Sequence, residues 1–340
     1  MADQYMNAVE DRSLQDATNA NSETPLTGTL QRRNLKIIQK LLKNEGDVNA
    51  VDKDGNTTLM LKSMTGHHEN VQEQIKNNAD VNKVNKDGNT ALMLASKKGH
   101  KKIIQELLQN KADVNIVNKD GYTALILASI EGHHDIVQEL IKNNADINVV
   151  GKNGDTAMMR ASLNGHHDIV QELIKNNANV NVVNKYGHTT LMLASMKGHH
   201  EIVQELIKVN ANVNIVDEFG NTTLMFASMN GHHEIVQELI KNKADVNVVN
   251  KDGDTALIWA SRFGHYHIVQ KLLKNDADVN IVNKDGKTAL KLASNNGNHE
   301  IVQELAIHFD IASLVNCANI PSLIVKSLKK YAKMVKRLLK

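Results

Sequence analysis

Five adjacent histidine pairs are the residues in this chain best placed for chemistry: His67-His68, His133-His134, His166-His167, His199-His200 and His232-His233. Imidazole is a common ligand for zinc and copper, so such pairs suggest a metal site. Their spacing argues against one. Adjacent residues on a helix do not face each other. From His133 onward the pairs recur every 33 residues, which sets equivalent rings about 9 Å apart, one helix diameter. No cysteine accompanies them. No metal is expected; the histidines are expected to serve the fold, the second of each pair at the surface where a helix begins. Gly286-Lys287-Thr288 has the ending of a phosphate-binding loop. That loop needs a glycine five residues before Gly286, where Ile281 stands. No Ser-His-Asp order, carboxylate pair or glycine-rich loop lies outside the repeating pattern. Hence no catalytic residue, cofactor or small-molecule substrate is expected, and the chain reads as a non-enzyme.

What positions these residues is a frame of fixed period. Eight glycines, Gly55, Gly88, Gly121, Gly154, Gly187, Gly220, Gly253 and Gly286, stand 33 residues apart. A period of that length marks a solenoid, in which each unit packs on its neighbours. Residues 119–151 show one unit. Lys119-Asp120-Gly121 makes a turn. Thr123 then caps a short helix, Ala124 to Ser129, which Gly132 ends. A second helix runs over His134 to Lys142, where Ile136, Val137, Leu140 and Ile141 form one apolar stripe. Neither helix is long enough to persist alone in water, so stacking must bury the stripes.

The unit resembles the ankyrin repeat, which has 33 residues, a turn, two antiparallel helices and a T-P-L-H-x-A phrase. Thr90-Ala91-Leu92-Met93-Leu94-Ala95, Gly99-His100 and Ala112-Asp113-Val114-Asn115 carry the likeness, and their equivalents recur from about 20 to 316. It implies an all-α ankyrin solenoid with hairpin-like turns between repeats. The expected divisions are a flexible segment 1–19 and nine repeats: 20–52, 53–85, 86–118, 119–151, 152–184, 185–217, 218–250, 251–283 and 284–316. A basic amphipathic helix, 317–340, follows and reads as a decayed capping repeat, since terminal units meet water on one face. The first histidine of each pair matches the position that hydrogen-bonds from repeat to repeat. The phrase departs from the family in one respect: Met93, Ile126 and Met192 replace its histidine, so packing should replace hydrogen bonding there.

Composition bounds the function further. Cys317 is the single cysteine, so no intrachain disulfide forms and a reducing compartment, the cytoplasm, is expected. No run of 18 apolar residues suggests a membrane span. The tail carries Lys326, Lys329, Lys330, Lys333, Lys336, Arg337 and Lys340 with no acid; its +7 leaves −5 for the rest of a chain whose net charge is +2. Contact of this tail with anionic membrane, a calmodulin-like protein or nucleic acid is the alternative function.

The resemblance implies a scaffold or adaptor that binds one or more proteins through turn tips and inner helices. The candidate contacts are Tyr122, Ile130, Leu163, Tyr186, His188, Met196, Phe219, Met229, Arg262 and Phe263, taken from columns that vary between repeats. Ile130, Leu163, Met196 and Met229 share one column and are expected to form an exposed apolar strip. The chain is expected to be monomeric. Gly151 and Arg160 break the pattern of residues 152–184: other repeats have Asn or Asp in place of Gly151, and Leu, Phe or Trp in place of Arg160.

Overall fold

The computed structural model describes residues 47–308. The segment 1–19, most of 20–52, the end of 284–316 and the basic tail 317–340 lie outside the described residues. Among those described there are sixteen α-helices and three isolated bridges but no strand. The helices come in pairs. The first four pairs are α1 Thr58–Thr65 with α2 His68–Lys76, α3 Ala91–Lys98 with α4 Lys101–Gln109, α5 Ala124–Glu131 with α6 His134–Lys142, and α7 Ala157–Leu163 with α8 His167–Lys175. The others are α9 Thr190–Lys197 with α10 His200–Lys208, α11 Thr223–Met229 with α12 His233–Lys241, α13 Ala256–Phe263 with α14 Tyr266–Leu273, and α15 Ala289–Asn295 with α16 His299–His308. Odd-numbered inner helices pack on inner helices and even-numbered outer helices on outer ones.

Local chemistry sets each boundary. Every inner helix follows a threonine whose hydroxyl accepts a backbone N–H three residues on, as Thr123 does from Ile126 at 3.3 Å and Thr156 from Met159 at 3.2 Å. This meets one of the donors a helix start leaves open. Gly132 closes α5 with φ +80°, and a Cβ there would stand 2.6 Å from the His166 ring. Both the backbone and the close approach therefore require glycine. Met93, Ile126 and Met192 are at most 1% exposed, so packing has replaced hydrogen bonding in that column.

Ladders of hydrogen bonds tie unit to unit. The Lys119 N–H donates to the Asp87 carbonyl at 2.8 Å, and Lys152 to Asp120 at 2.7 Å, joining successive turns into a ribbon. The Asn82 side chain accepts from the Asp113 N–H, and Asn115 from Asp146, each at 2.8 Å. On the outer helices Gln138 donates to Glu172 at 3.0 Å. That bond is the main reason the Glu172 carboxyl sits below its usual value. The first histidine of each pair from His133 onward makes a fourth ladder. His166 Nε2 donates to the Ile130 carbonyl at 3.0 Å and His199 to Leu163 at 3.3 Å, each from one unit to the unit before. The second histidine lies beside the next outer helix: His134 Nε2 is 3.9 Å from Glu172.

Two expected results follow from this frame. Seven non-glycine residues just after the outer helices have positive φ, among them Lys111 and Lys243 at 65° and Asn144 at 64°. Asparagine tolerates that region; lysine pays for its Cβ there. Lys111→Gly and Lys243→Gly should each stabilise the chain by about 1 kcal/mol, while Asn144→Gly should gain less. A fall in melting temperature for either lysine variant would contradict this.

The second result concerns acid. Burial is the main force holding His199 below its ordinary value of 6.5, with the nearby His166, His232 and Lys197 adding to it against the Leu163 bond. A folded pKa below the unfolded one means that the unfolded chain takes up protons first. The contribution of His199 is therefore present above 6.5 and is lost as the pH falls through the lower folded value. Asn298 fills the histidine position one unit after His265 and donates to the Ser261 carbonyl at 2.9 Å. His199→Asn should therefore keep a bond to the preceding unit, shifted toward the Ser162 carbonyl as Asn298 favours Ser261 over Arg262, and lose less melting temperature than wild type between pH 7 and pH 5.5. Equal slopes would contradict the argument.

Candidate functional site

Turns and inner helices converge on one face. A cleft of about 560 Å³ is lined by residues of three successive units, including Asp87, Leu94, Lys97, Tyr122, Leu127, Ile130 and Lys152. Residues flanking the turn glycines thus share a surface with the inner helices, and the variable columns are the ones brought together there.

The structure corrects the expected exposed strip. Met229 is 9% exposed and belongs to the core; it lines a small gap with Asn221, Met225, Phe226 and Trp259. Ile130 and Met196 are half-buried against the core, and Leu163 is also half-buried. The cause is the repeat itself, because side chains late in an inner helix reach toward the next unit and are partly covered by it. His188, at 6% exposed, is likewise buried rather than presented at a turn tip. Tyr122 is half-buried and packed on the core. Phe219 at 45% and Phe263 at 37% are the exposed aromatic members of the expected set. Tyr186 and Arg262 are half-buried.

Tyr122, Gly151 and Arg160 are parts of one arrangement. A Cβ on Gly151 would stand 2.5 Å from Tyr122 Cε1, so glycine is what lets the tyrosine ring lie across the next turn. Its hydroxyl accepts a hydrogen bond from Arg160, whose guanidinium carbon is 5.4 Å from the ring centre. Arg160 also pairs with Asp155 at 2.8 Å, both side chains being less than a tenth exposed. Asn184 donates to the other Asp155 oxygen at 2.9 Å. Three substitutions that look unrelated in sequence are therefore one buried contact between neighbouring units.

A second arrangement occupies the later units. His188 Nε2 lies 3.7 Å from Asp217 Oδ2, and its ring meets Phe226 edge-on at 5.8 Å and Tyr186 at 6.0 Å. Burial pushes the Asp217 carboxyl up, but the His188 ring, Asn221 and the backbone N–H groups of Asn221 and Phe219 together hold it below the usual range. Asp254, one unit on, is raised: burial dominates over the hydrogen bond from Asn283. Beside it Trp259 and Phe263 stack with ring centres 5.9 Å apart, and Arg262 lies over both. Phe226 and Trp259, both buried beneath the exposed aromatics, were not among the expected contacts. Their signal was available in the column that reads Leu94, Leu127, Arg160, Leu193, Phe226, Trp259 and Leu292, where aromatics stand only in the later units.

The turn at Gly286 matches the other turns. The Gly286 N–H donates to the Asn283 carbonyl at 2.9 Å, and the Lys287 N–H to Asn283 Oδ1 at 2.9 Å. Among the described residues no three His, Cys, Asp or Glu side chains are grouped to hold a metal ion, and no helix is long and apolar enough to cross a membrane. No curated protein matches the chain significantly. A family model described as "Ankyrin repeats (3 copies)" matches residues 59–151, 131–217, 191–283, 224–317 and 266–340. With its helix pairs, its threonine caps and a family match that runs without a break from 59 to 340, the chain belongs to the ankyrin repeat family.

Proposed function

We propose that the chain is a non-catalytic protein-binding scaffold, and that its partner lies along the inner face between about Tyr186 and Phe263. Ankyrin repeats are generally protein-interaction modules, and one observation carries the extension to this face. In the four central units the outer helices hold nearly one sequence while the turn tips and inner-helix ends change. The outer helices α6 and α8 have one sequence, HDIVQELIK, and α10 and α12 another, HEIVQELIK. Over the same four units the residue before the turn glycine changes from Asp120 to Asn153, Tyr186 and Phe219, and the end of the inner helix from Ile130 to Leu163, Met196 and Met229. The aromatic residues gathered there are favoured anchors for a protein partner. Arg262, stacked on Trp259 and Phe263, adds a cation beside apolar area. The single cysteine supports a reducing compartment such as the cytoplasm. The basic tail is not needed for this reading.

Photo-crosslinking tests it. A photoreactive phenylalanine analogue at Phe219 or Phe263 should capture a protein from the native lysate, and the same analogue at Gln171 on α8 should not. Capture from Gln171 with none from the inner positions would place the partner on the outer helices instead.

A further inference from the structure

Besides the inner face, the fold exposes a second apolar surface. Eight valines from Val51 to Val282, at steps of 33 residues, are each between 45% and 50% exposed. With Phe219, Phe263 and Ile307 they make up the exposed large hydrophobic residues among those described. None of the eight lines the cleft of the inner face. Each sits just before a turn, one residue after a partly buried Ile or Val such as Ile116 or Val149 in most units, in the in-and-out alternation of an extended segment. Turn is tied to turn along the stack, as by the bond from Lys119 to Asp87, so the valines form a continuous stripe.

We infer that this stripe is an interface between two copies of the chain, paired antiparallel about a two-fold axis. Periodicity argues for a second copy. A partner that covers every valine at once must offer apolar groups at the same step, and a second copy does so. In a two-fold arrangement centred between Val150 and Val183, each valine of one copy meets one of the other, and the outermost valines meet end to end. Area supports it as well. At about 70 Å² exposed per valine, two stripes bring roughly 1,100 Å² together, close to the smallest stable interfaces, and the flanking Asn and Lys stems add to this. Charge permits it. The turn tips carry seven lysines and six acids, as in Lys119 with Asp120 and Lys251 with Asp252, so two copies do not repel. Antiparallel pairing sets lysines of one copy near acids of the other. The same near-neutral balance gives no pull toward a polyanion or an anionic membrane. The sequence-based expectation of a monomer did not weigh this column, because a valine before a turn reads as ordinary extended structure.

The test uses the full chain. Sedimentation at concentrations up to about 100 µM should show a dimer. Replacing Val117, Val150, Val183 and Val216 together by Lys should weaken that dimer at least hundredfold and leave the helical signal and melting temperature of the dilute chain unchanged. In a Cys317→Ser background, chains with Val150→Cys mixed with chains with Val183→Cys should form a crosslinked pair, and Val150→Cys mixed with Val51→Cys should not. A monomer at all concentrations overturns the inference. So does a dimer indifferent to the four lysines, or a fourfold variant that melts early from a chain already monomeric, which would show that the valines serve the turns alone.

Discussion

Asp155→Ala is expected to cost on the order of 3–5 kcal/mol, because it leaves the Arg160 guanidinium buried without its counter-charge. Arg160 is 6% exposed, and its carboxylate partner is 2.8 Å away. The Tyr122 hydroxyl can accept a hydrogen bond but carries no charge to replace Asp155. The ion pair itself need not be a net stabiliser, since desolvation offsets much of the attraction. Asp155→Asn with Arg160→Leu should therefore be nearly neutral; it recreates the combination that Asn89 and Leu94 form two units earlier. Gly151→Asn restores the common residue of that column and should nonetheless destabilise, because its Cβ would meet the Tyr122 ring at 2.5 Å. Adding Tyr122→Asn should recover the loss. Chemical denaturation of the four variants checks the set. A loss below about 1 kcal/mol for Asp155→Ala, or an equal loss for the double variant, would show that the cluster does not bury an obligate pair.

The fold was legible because its cause is local and repeated. Gly132, Thr123 and the Ile136-Val137-Leu140 stripe each dictate one element, and the period places the next copy. The first-histidine ladder followed from the family resemblance, and His166 and His199 make the bonds it implied. The proposed binding face was legible only as columns. Spacing says that Ile130 and Met229 share a column, but not how far the next unit covers them; Met229 disappears under Phe226 and Trp259, whereas Phe219 stays in water. Tyr122, Gly151 and Arg160 stand 29 and 9 residues apart in sequence, so their contact needed the stacked geometry. The valine stripe was present in the sequence at every step. Exposure gives it meaning, and exposure is a property of the fold.

The second large effect is on binding. Phe219 and Phe263 keep 45% and 37% of their surface in water, so truncating them removes little of the core. If they anchor the partner, Phe219→Ala with Phe263→Ala should weaken binding at least tenfold, about 1.4 kcal/mol or more. Tyr186→Ala should add to the loss with some cost in stability, because its ring lies 6.0 Å from buried His188. Asp54→Ala and Asp285→Ala, at equivalent turn tips near the ends of the array, should change affinity by less than about 0.5 kcal/mol. The decisive measurement is calorimetric titration of the partner captured at Phe219 against wild type and Phe219→Ala/Phe263→Ala. The account predicts that the double variant stays folded, losing only the Phe263 stack on Trp259 (about 1 kcal/mol), and binds at least tenfold more weakly. A double variant that is folded and binds with unchanged affinity would contradict it.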